Sequence, residues 1–136
     1  MAIFDTDGAK AREFAEKYGA AAVSSLDEFA TAVDAASVST PTVTHRKIGE
    51  HLLGSGVHCL IEKPIADHPE DAAALVSVAK DHDRLLQVGH IERFNPVLSH
   101  LEERLNEPKF IEVHRLSPFP NRSIDVGVVL DVMIHD

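Results

Sequence analysis

Short apolar runs alternate along the chain with longer segments of helical periodicity. The apolar runs predict strands at residues 2–4, 20–23, 35–39, 57–61 and 85–88. The segments between them predict helices at residues 9–18, beginning at Ser25, at 43–53, and beginning at Asp67. Strands separated by helices indicate βαβ units, so the predicted fold class is α/β with a Rossmann-like parallel sheet.

Local signals support these helices. Ser25-Leu26-Asp27-Glu28 is a capping box that predicts a helix start, and Gly54 and Gly56 predict where the third helix ends. Periodic apolar positions predict the inward faces of three helices: Ala11, Phe14, Ala15 and Tyr18; Ile48 and Leu52; and Ala72, Val76 and Ala79.

The pattern changes after Arg93. Residues 95–105 predict a helix, residues 110–116 alternate like a strand exposed on one face, and residues 125–136 return to helical spacing. We therefore expect a division into two parts. Residues 1–92 form most of one domain, and residues 93–136 begin a second α/β domain.

Composition and charge exclude several classes of protein. The 136 residues are 44% hydrophobic and 26% charged, which is typical of a globular domain. A net charge of −9 argues against nucleic-acid binding, and no apolar run approaches the roughly 20 residues that cross a membrane. The single cysteine, Cys59, lies in an apolar run, so we expect a core residue and a reducing, cytoplasmic location.

The candidate chemistry begins with Lys63. It follows the apolar run Val57–Ile61 within Glu62-Lys63-Pro64, and ligands of open α/β sheets bind beyond the carboxyl ends of strands. Pro64 disfavours the helical conformation for Lys63 and so favours an extended lysine that reaches into that crevice. The alternative is a surface lysine at the end of a strand.

One expected feature of such a fold is missing. A dinucleotide-binding sheet starts with a strand, a glycine-rich turn, a helix, a second strand and an acidic residue. Asp5 has the position of that acidic residue, and no G-x-G-x-x-G precedes it. We expect an N- and C-terminally truncated fragment of a longer protein. The alternative is a complete small α/β domain, but the sheet of such a domain would lack its central strand.

Four signals in chain order resemble the glucose–fructose oxidoreductase, inositol dehydrogenase and rhizopine-catabolism family (Gfo/Idh/MocA). They are Asp5, Ser39-Thr40-Pro41 with His45, Glu62-Lys63-Pro64, and Asp131-Val132-Met133-Ile134-His135. Residues 88–96 and 118–129 look most like members that oxidise nucleotide sugars, such as the UDP-N-acetylglucosamine 3-dehydrogenases. The resemblance implies an NAD(P)-dependent oxidoreductase that transfers hydride between a sugar or nucleotide-sugar carbon and nicotinamide.

The resemblance also implies catalytic roles. Asp131 and His135 are four residues apart, so on a helix they share one face. We expect His135 to take the hydroxyl proton and Lys63 to stabilise the developing alkoxide, although family members sometimes exchange these two roles. Asp131 would orient the sugar or share the proton network.

Cofactor binding is expected at several strand ends. Asp5 would accept hydrogen bonds from the adenosine ribose, which favours NAD over NADP, although an aspartate that only starts a turn is the alternative. The resemblance places Thr40, Pro41 and His45 against the dinucleotide. Glu62 would contact the nicotinamide ribose or pair with Lys63. Arg93 would meet a phosphate or remain solvated.

Two further alternatives follow from the residues. Nine histidines invite a metal site, but no H-E-x-x-H or Cys–His cluster is present, so we predict none. The second alternative is a non-catalytic Rossmann-like binding module. For the intact protein we expect a small-molecule sugar substrate and a homo-oligomer, and for the fragment weak NAD binding and no activity of its own.

Overall fold

The computed structural model describes residues 1–102, 104–112 and 114. Strands and helices alternate through most of this range. In chain order they are β1 (Ala2–Ile3), α1 (Gly8–Tyr18), β2 (Ala21–Ala22), α2 (Leu26–Ala32), β3 (Ala35–Val38), α3 (Thr42–Gly54), β4 (His58–Ile61), α4 (Pro69–Asp81) and β5 (Leu86–Val88). A 3₁₀ turn (Ile91–Phe94) and α5 (Pro96–Glu102) follow. The α/β prediction is confirmed.

The strands form two parallel sheets. One pairs β1 with β2, and the other has the order β3-β4-β5, in which Ala36 pairs with Cys59 and Cys59 with Leu86. Doubly wound sheets have the strand order 3-2-1-4-5-6. Here β2 and β1 match the first two positions and β3 to β5 the last three. The described residues supply no strand for the position between β1 and β3.

The hydrophobic core lies between the three-stranded sheet and the helices α3 and α4. Leu53, Ile61 and Leu75 are completely buried there. Gly49 lets α3 approach this layer, because a Cβ at that position would lie 2.6 Å from Cδ2 of Leu75 and 2.8 Å from Cδ1 of Ile61. The core therefore fixes the height of α3 above β4.

Side-chain caps start the first two helices. Asp7 Oδ1 accepts hydrogen bonds from the amides of Ala9 and Lys10 at the start of α1. At α2, Ser25 Oγ accepts from the amide of Glu28, and the Glu28 carboxylate accepts from the amide and hydroxyl of Ser24. The bonds from Ser24 lower the pKa of Glu28. The helix start predicted at Ser25 is confirmed, but the Glu28 carboxylate bonds Ser24, whereas in a full capping box it would bond the amide of Ser25.

The predicted packing faces need correction at three positions. Phe14 and Tyr18 are exposed and stack on each other, whereas Ala11 and Ala15 are buried as expected. The reason is that α1 packs mainly on β1 and β2, which are two residues long each and cover a narrow part of the helix. In α4 the predicted packing residue Val76 is exposed, and Leu75 is the buried one because the helix turns that side towards α3.

The chain beyond β5 agrees only in part with its predictions. The helix predicted at 95–105 forms as α5, but residues 110–112 and 114 are not a strand. A strand needs a hydrogen-bonded neighbour, and the described residues provide none beside this segment. The helix predicted at 125–136 lies outside the described residues, and the domain division at residue 92 stays a prediction. No helix in the described ranges is long and apolar enough to span a membrane.

Candidate active site at the carboxyl ends of the strands

Four strand ends carry the candidate residues at one edge of the fold. Asp5 follows β1, Thr40 follows β3, Lys63 follows β4 and Gly89 follows β5. All of the paired strands are parallel, so the carboxyl ends within each sheet point in the same direction. Ligands of open α/β sheets bind at this kind of edge, at the point where the strand order reverses.

A cleft of about 500 Å³ opens between the ends of β1 and β3. Its lining includes three predicted cofactor residues, Asp5, Thr40 and Pro41. The apolar part of the lining includes Phe29 and Ile48. The polar rim lies at the strand ends, whereas the apolar wall lies along the strand position between β1 and β3 that the described residues leave unfilled. A second, shallow depression beside Leu60 and Gln87 contains none of the predicted site residues.

Asp5 is exposed at the rim of this cleft. Its Oδ1 accepts a hydrogen bond of 2.7 Å from the amide of Asp7. The side chain of Asp7 in turn caps α1. Asp5 therefore forms the turn, as its alternative interpretation predicts. Its carboxylate also faces the cleft. The two roles are compatible because one carboxylate accepts several hydrogen bonds.

The loop after β3 is held by the first turn of α3. Thr44 Oγ1 donates to the carbonyl oxygen of Pro41 at 2.7 Å and lies 2.8 Å from Oγ1 of Thr40. Thr44 also lines the cleft. Thr44 is not among the residues expected at this edge, although a threonine four positions after Thr40 at a helix start is a detectable signal.

His45 lies beneath the loops and not in the lining of the cleft. Only 1% of its surface is exposed. Nδ1 is 2.9 Å from the carbonyl oxygen of Pro64, and Nε2 is 2.8 Å from the carbonyl oxygen of Thr40. The imidazole therefore joins the loop after β3 to the loop after β4.

Glu62 and Lys63 are half-buried in the loop after β4. Glu62 Oε2 accepts a hydrogen bond of 3.3 Å from the amide of Lys63. The Glu62 carboxylate also packs on Gly89, where an added Cβ would meet its oxygen at 3.0 Å. The glycine at the end of β5 thus leaves room for Glu62, and Pro64 is buried behind Lys63.

The remaining candidates are more distant or not described. Arg93 is exposed in the 3₁₀ turn just beyond β5. Asp131 and His135 lie outside the described residues. Cys59 is buried in β4, and desolvation raises the pKa of its thiol to about 11, so it behaves as a core residue. Among the described residues, no three His, Cys, Asp or Glu side chains could hold a metal ion together.

Comparison with known proteins identifies the fold family. Residues 1–90 match the family described as "Oxidoreductase family, NAD-binding Rossmann fold". The chain is 40% identical over 135 residues to the UDP-N-acetylglucosamine 3-dehydrogenase of Acidithiobacillus ferrooxidans, covering 98% of this chain and 43% of that protein. It is 33% identical over 147 residues to the myo-inositol dehydrogenase Hyg17 of Streptomyces leeuwenhoekii, covering 100% of this chain and 45% of that protein.

Solved structures of similar proteins support the same family. The UDP-N-acetylglucosamine 3-dehydrogenase GnnA of A. ferrooxidans superposes with a TM-score of 0.89 at 39% identity, over 98% of this chain and 45% of that one. The WlbA dehydrogenase of Bordetella pertussis, in complex with NADH and UDP-GlcNAcA, gives 0.72 at 26% identity over 76% of this chain and 30% of that one. This chain spans less than half the length of these relatives. It belongs to the Gfo/Idh/MocA oxidoreductase family.

Proposed function

We propose that the protein is an NAD-dependent dehydrogenase of a sugar or nucleotide sugar. The observation that carries the proposal is the cleft lined by Asp5, Thr40 and Pro41, with the loop of Lys63 joined to that of Thr40 through His45. The similarity to an enzyme named for UDP-N-acetylglucosamine supports a nucleotide sugar as the substrate.

The polar rim of the cleft, at the ends of β1 and β3, fits the adenosine side of a dinucleotide. Asp5 would accept hydrogen bonds from the ribose hydroxyls, and its carboxylate would repel the additional phosphate of NADP. Thr40 and Pro41 would contact the dinucleotide along the rim. Arg93 would pair with a phosphate. These roles favour NAD over NADP.

Lys63 would act on the substrate hydroxyl. When bound, nicotinamide accepts the hydride from the sugar carbon. The ammonium of Lys63 would stabilise the negative charge that develops on the sugar oxygen as the proton leaves. His135 would take that proton, and Asp131 would orient the sugar. Glu62, packed on Gly89 beside Lys63, would contact the nicotinamide ribose.

The second candidate is a non-catalytic Rossmann-like module, and it applies to the 136 residues by themselves. The observation that favours it is the strand position between β1 and β3, which the described residues leave unfilled. In doubly wound sheets the phosphate-binding glycine-rich turn follows the strand at this position. We therefore propose that the isolated chain binds NADH weakly and is inactive.

The segment after β5 supports the proposed domain division. Val97, Phe110 and Ile111 are more than half exposed. Apolar residues of this kind are normally covered by other parts of a protein or by a partner. We propose that residues 1–92 form part of the NAD-binding domain, that residues 93–136 begin the substrate domain, and that the intact protein is a cytoplasmic homo-oligomer.

A chimeric enzyme tests the function. In it, this chain replaces the 135 matched residues of the A. ferrooxidans dehydrogenase. We expect NAD-dependent oxidation of UDP-N-acetylglucosamine, followed by NADH absorbance, and a loss of roughly 10²–10³-fold in kcat for Lys63→Met. A folded chimera that binds NADH but oxidises no UDP-sugar contradicts the proposal.

Calorimetry separates the two candidates. We expect the isolated chain to show no low-micromolar binding of NADH and the chimeric enzyme to bind it. Low-micromolar binding by the isolated chain contradicts the proposed division of the cofactor site.

A further inference from the structure

His45 is buried between two loops that the proposed function uses separately. The loop after β3 contains Thr40 at the cofactor cleft, and the loop after β4 contains Lys63. The ring of His45 contacts a backbone carbonyl in each of them, at 2.8 Å on Thr40 and at 2.9 Å on Pro64. These are the distances of well-formed hydrogen bonds.

Each ring nitrogen of His45 faces a carbonyl oxygen of a different loop. A carbonyl oxygen only accepts hydrogen bonds, so the ring nitrogen that carries a proton is the one that donates. The residue is 1% exposed, so water does not replace either contact. Loss of the ring would remove the side chain that fills the space between the two carbonyl groups and would leave at least one of them without its donor.

The position of His45 on α3 makes this bridge rigid. Leu52 and Leu53, on the same helix, are buried in the core, and Gly49 fits closely against Leu75. The helix cannot shift without disturbing that packing. His45 therefore sets the distance between the two loops, because the helix α3 that carries it is held in place by the core.

We propose that His45 is a positioning residue. It holds the loop of Lys63 at a fixed distance from the loop of Thr40, which would contact the cofactor. This inference rests on the proposed function for the role of Lys63. His45 is buried beneath both loops and does not line the cleft. It acts on turnover through Pro64, the residue bonded directly to Lys63.

The first test uses the 136-residue chain and requires no activity. Amide hydrogen exchange is measured for His45→Gln, for His45→Asn and for the control His82→Gln, which changes an exposed histidine at the end of α4. We expect exchange to rise on the order of tenfold in both loops, residues 39–45 and 62–66, with β4 and β5 unchanged. The control should leave both loops as they are.

Three results contradict the bridge. A rise confined to one loop shows that the other is held by different contacts. Unchanged exchange in both loops shows that neither depends on the ring. A rise across β3, β4 and β5 together, in both His45 variants, assigns His45 to the stability of the whole core.

The second test is a double-mutant cycle in the chimeric enzyme. We expect His45→Gln to lower kcat by roughly 10²-fold, because small misplacements of a catalytic group have effects of this size. The affinity for NADH should change much less. In a Lys63→Met background, single-turnover measurements should show an effect of His45→Gln of about twofold or less, since the two residues act as one unit.

Different results would contradict the proposed function and the positioning role of His45. An unsubstituted chimera that is inactive with UDP-sugars contradicts the proposed function, and the exchange experiment still decides whether His45 joins the loops. An active chimera in which His45→Gln lowers kcat equally with and without Lys63 contradicts the positioning role.

Discussion

Gly49 lies against Leu75 so closely that no side chain fits between the two helices. A Cβ on Gly49 would lie 2.6 Å from Cδ2 of Leu75, nearer than real Cβ contacts allow. Leu75 is completely buried, so its side chain can move away only within the packed core. This contact brings α3 close to α4 and so supports the helix that carries Thr44 and His45.

Gly49→Ala should therefore destabilise the chain. Alanine favours a helix by about 1 kcal/mol over glycine, but overpacking a filled core typically costs about 1–3 kcal/mol. We expect overpacking to dominate and the free energy of unfolding to fall, as measured by urea denaturation. The matched control is Gly54→Ala at the end of α3, where an added Cβ meets no atom within 4 Å.

The control should be neutral or stabilising by up to about 1 kcal/mol. Equal effects of the two substitutions would show that helix propensity and not close packing decides the outcome at Gly49. That result would also remove the rigid support assigned to His45.

Sequence patterns predict the strand ends of the candidate site but not the contacts beneath them. The apolar runs at 35–39 and 57–61, which Thr40 and Lys63 follow, predict two strand ends at one edge, and the structure has both. The contact of His45 with Pro64 spans 19 positions and depends on how two loops meet, so no local pattern reveals it. Similarly, apolar spacing identifies α4 as amphipathic, but its neighbours decide that Leu75 and not Val76 is buried.

Cys59 should be unreactive in the folded chain. Its thiol is buried in β4, and desolvation raises its pKa from 9.0 to about 11, so the reactive thiolate is scarce at pH 8. We expect Ellman's reagent to react slowly with the native chain and rapidly in urea, followed by absorbance. Rapid reaction without denaturant would contradict the burial of this strand.

The same pKa difference predicts a pH dependence of stability. Between pH 9 and pH 11 the unfolded thiol loses its proton while the folded thiol keeps it. Stability from this group is complete below that range and falls as the pH rises through it. Urea titrations of Cys59→Ala should lack this component, so the difference between the variant and the wild-type chain should change across the range. A constant difference would contradict the raised pKa.

Gly89→Ala should disturb Glu62 and, through it, cofactor binding. An added Cβ would lie 3.0 Å from Oε2 of Glu62, so the carboxylate must move. The free energy of unfolding should change little, because the end of a flexible side chain can give way. We expect the affinity of the chimeric enzyme for NADH to fall by about fivefold, the equivalent of one hydrogen bond.

A second background isolates the cause of that loss. In Glu62→Ala the carboxylate is absent, so Gly89→Ala should have almost no further effect on the dissociation constant for NADH. The same fivefold loss in both backgrounds would show that Gly89 acts through its own backbone and not through Glu62.

Asp5→Asn separates the two roles of this residue. Asparagine keeps a side-chain oxygen that can accept the hydrogen bond from the amide of Asp7, so the turn after β1 should remain. It removes the negative charge that would repel the additional phosphate of NADP. We expect the ratio of kcat/KM for NAD to that for NADP to fall by at least about tenfold in the chimeric enzyme, since one charge–phosphate contact is worth more than 1 kcal/mol.

Asp7→Asn is the matched control, since it also removes one charge two positions away. Asparagine caps helices as well as aspartate, so α1 should keep its start and its stability. The ratio for the two cofactors should stay near that of the unsubstituted chimera. If Asp7→Asn shifts the ratio as much as Asp5→Asn, the preference comes from the overall charge near the cleft and not from a contact of Asp5 with the ribose.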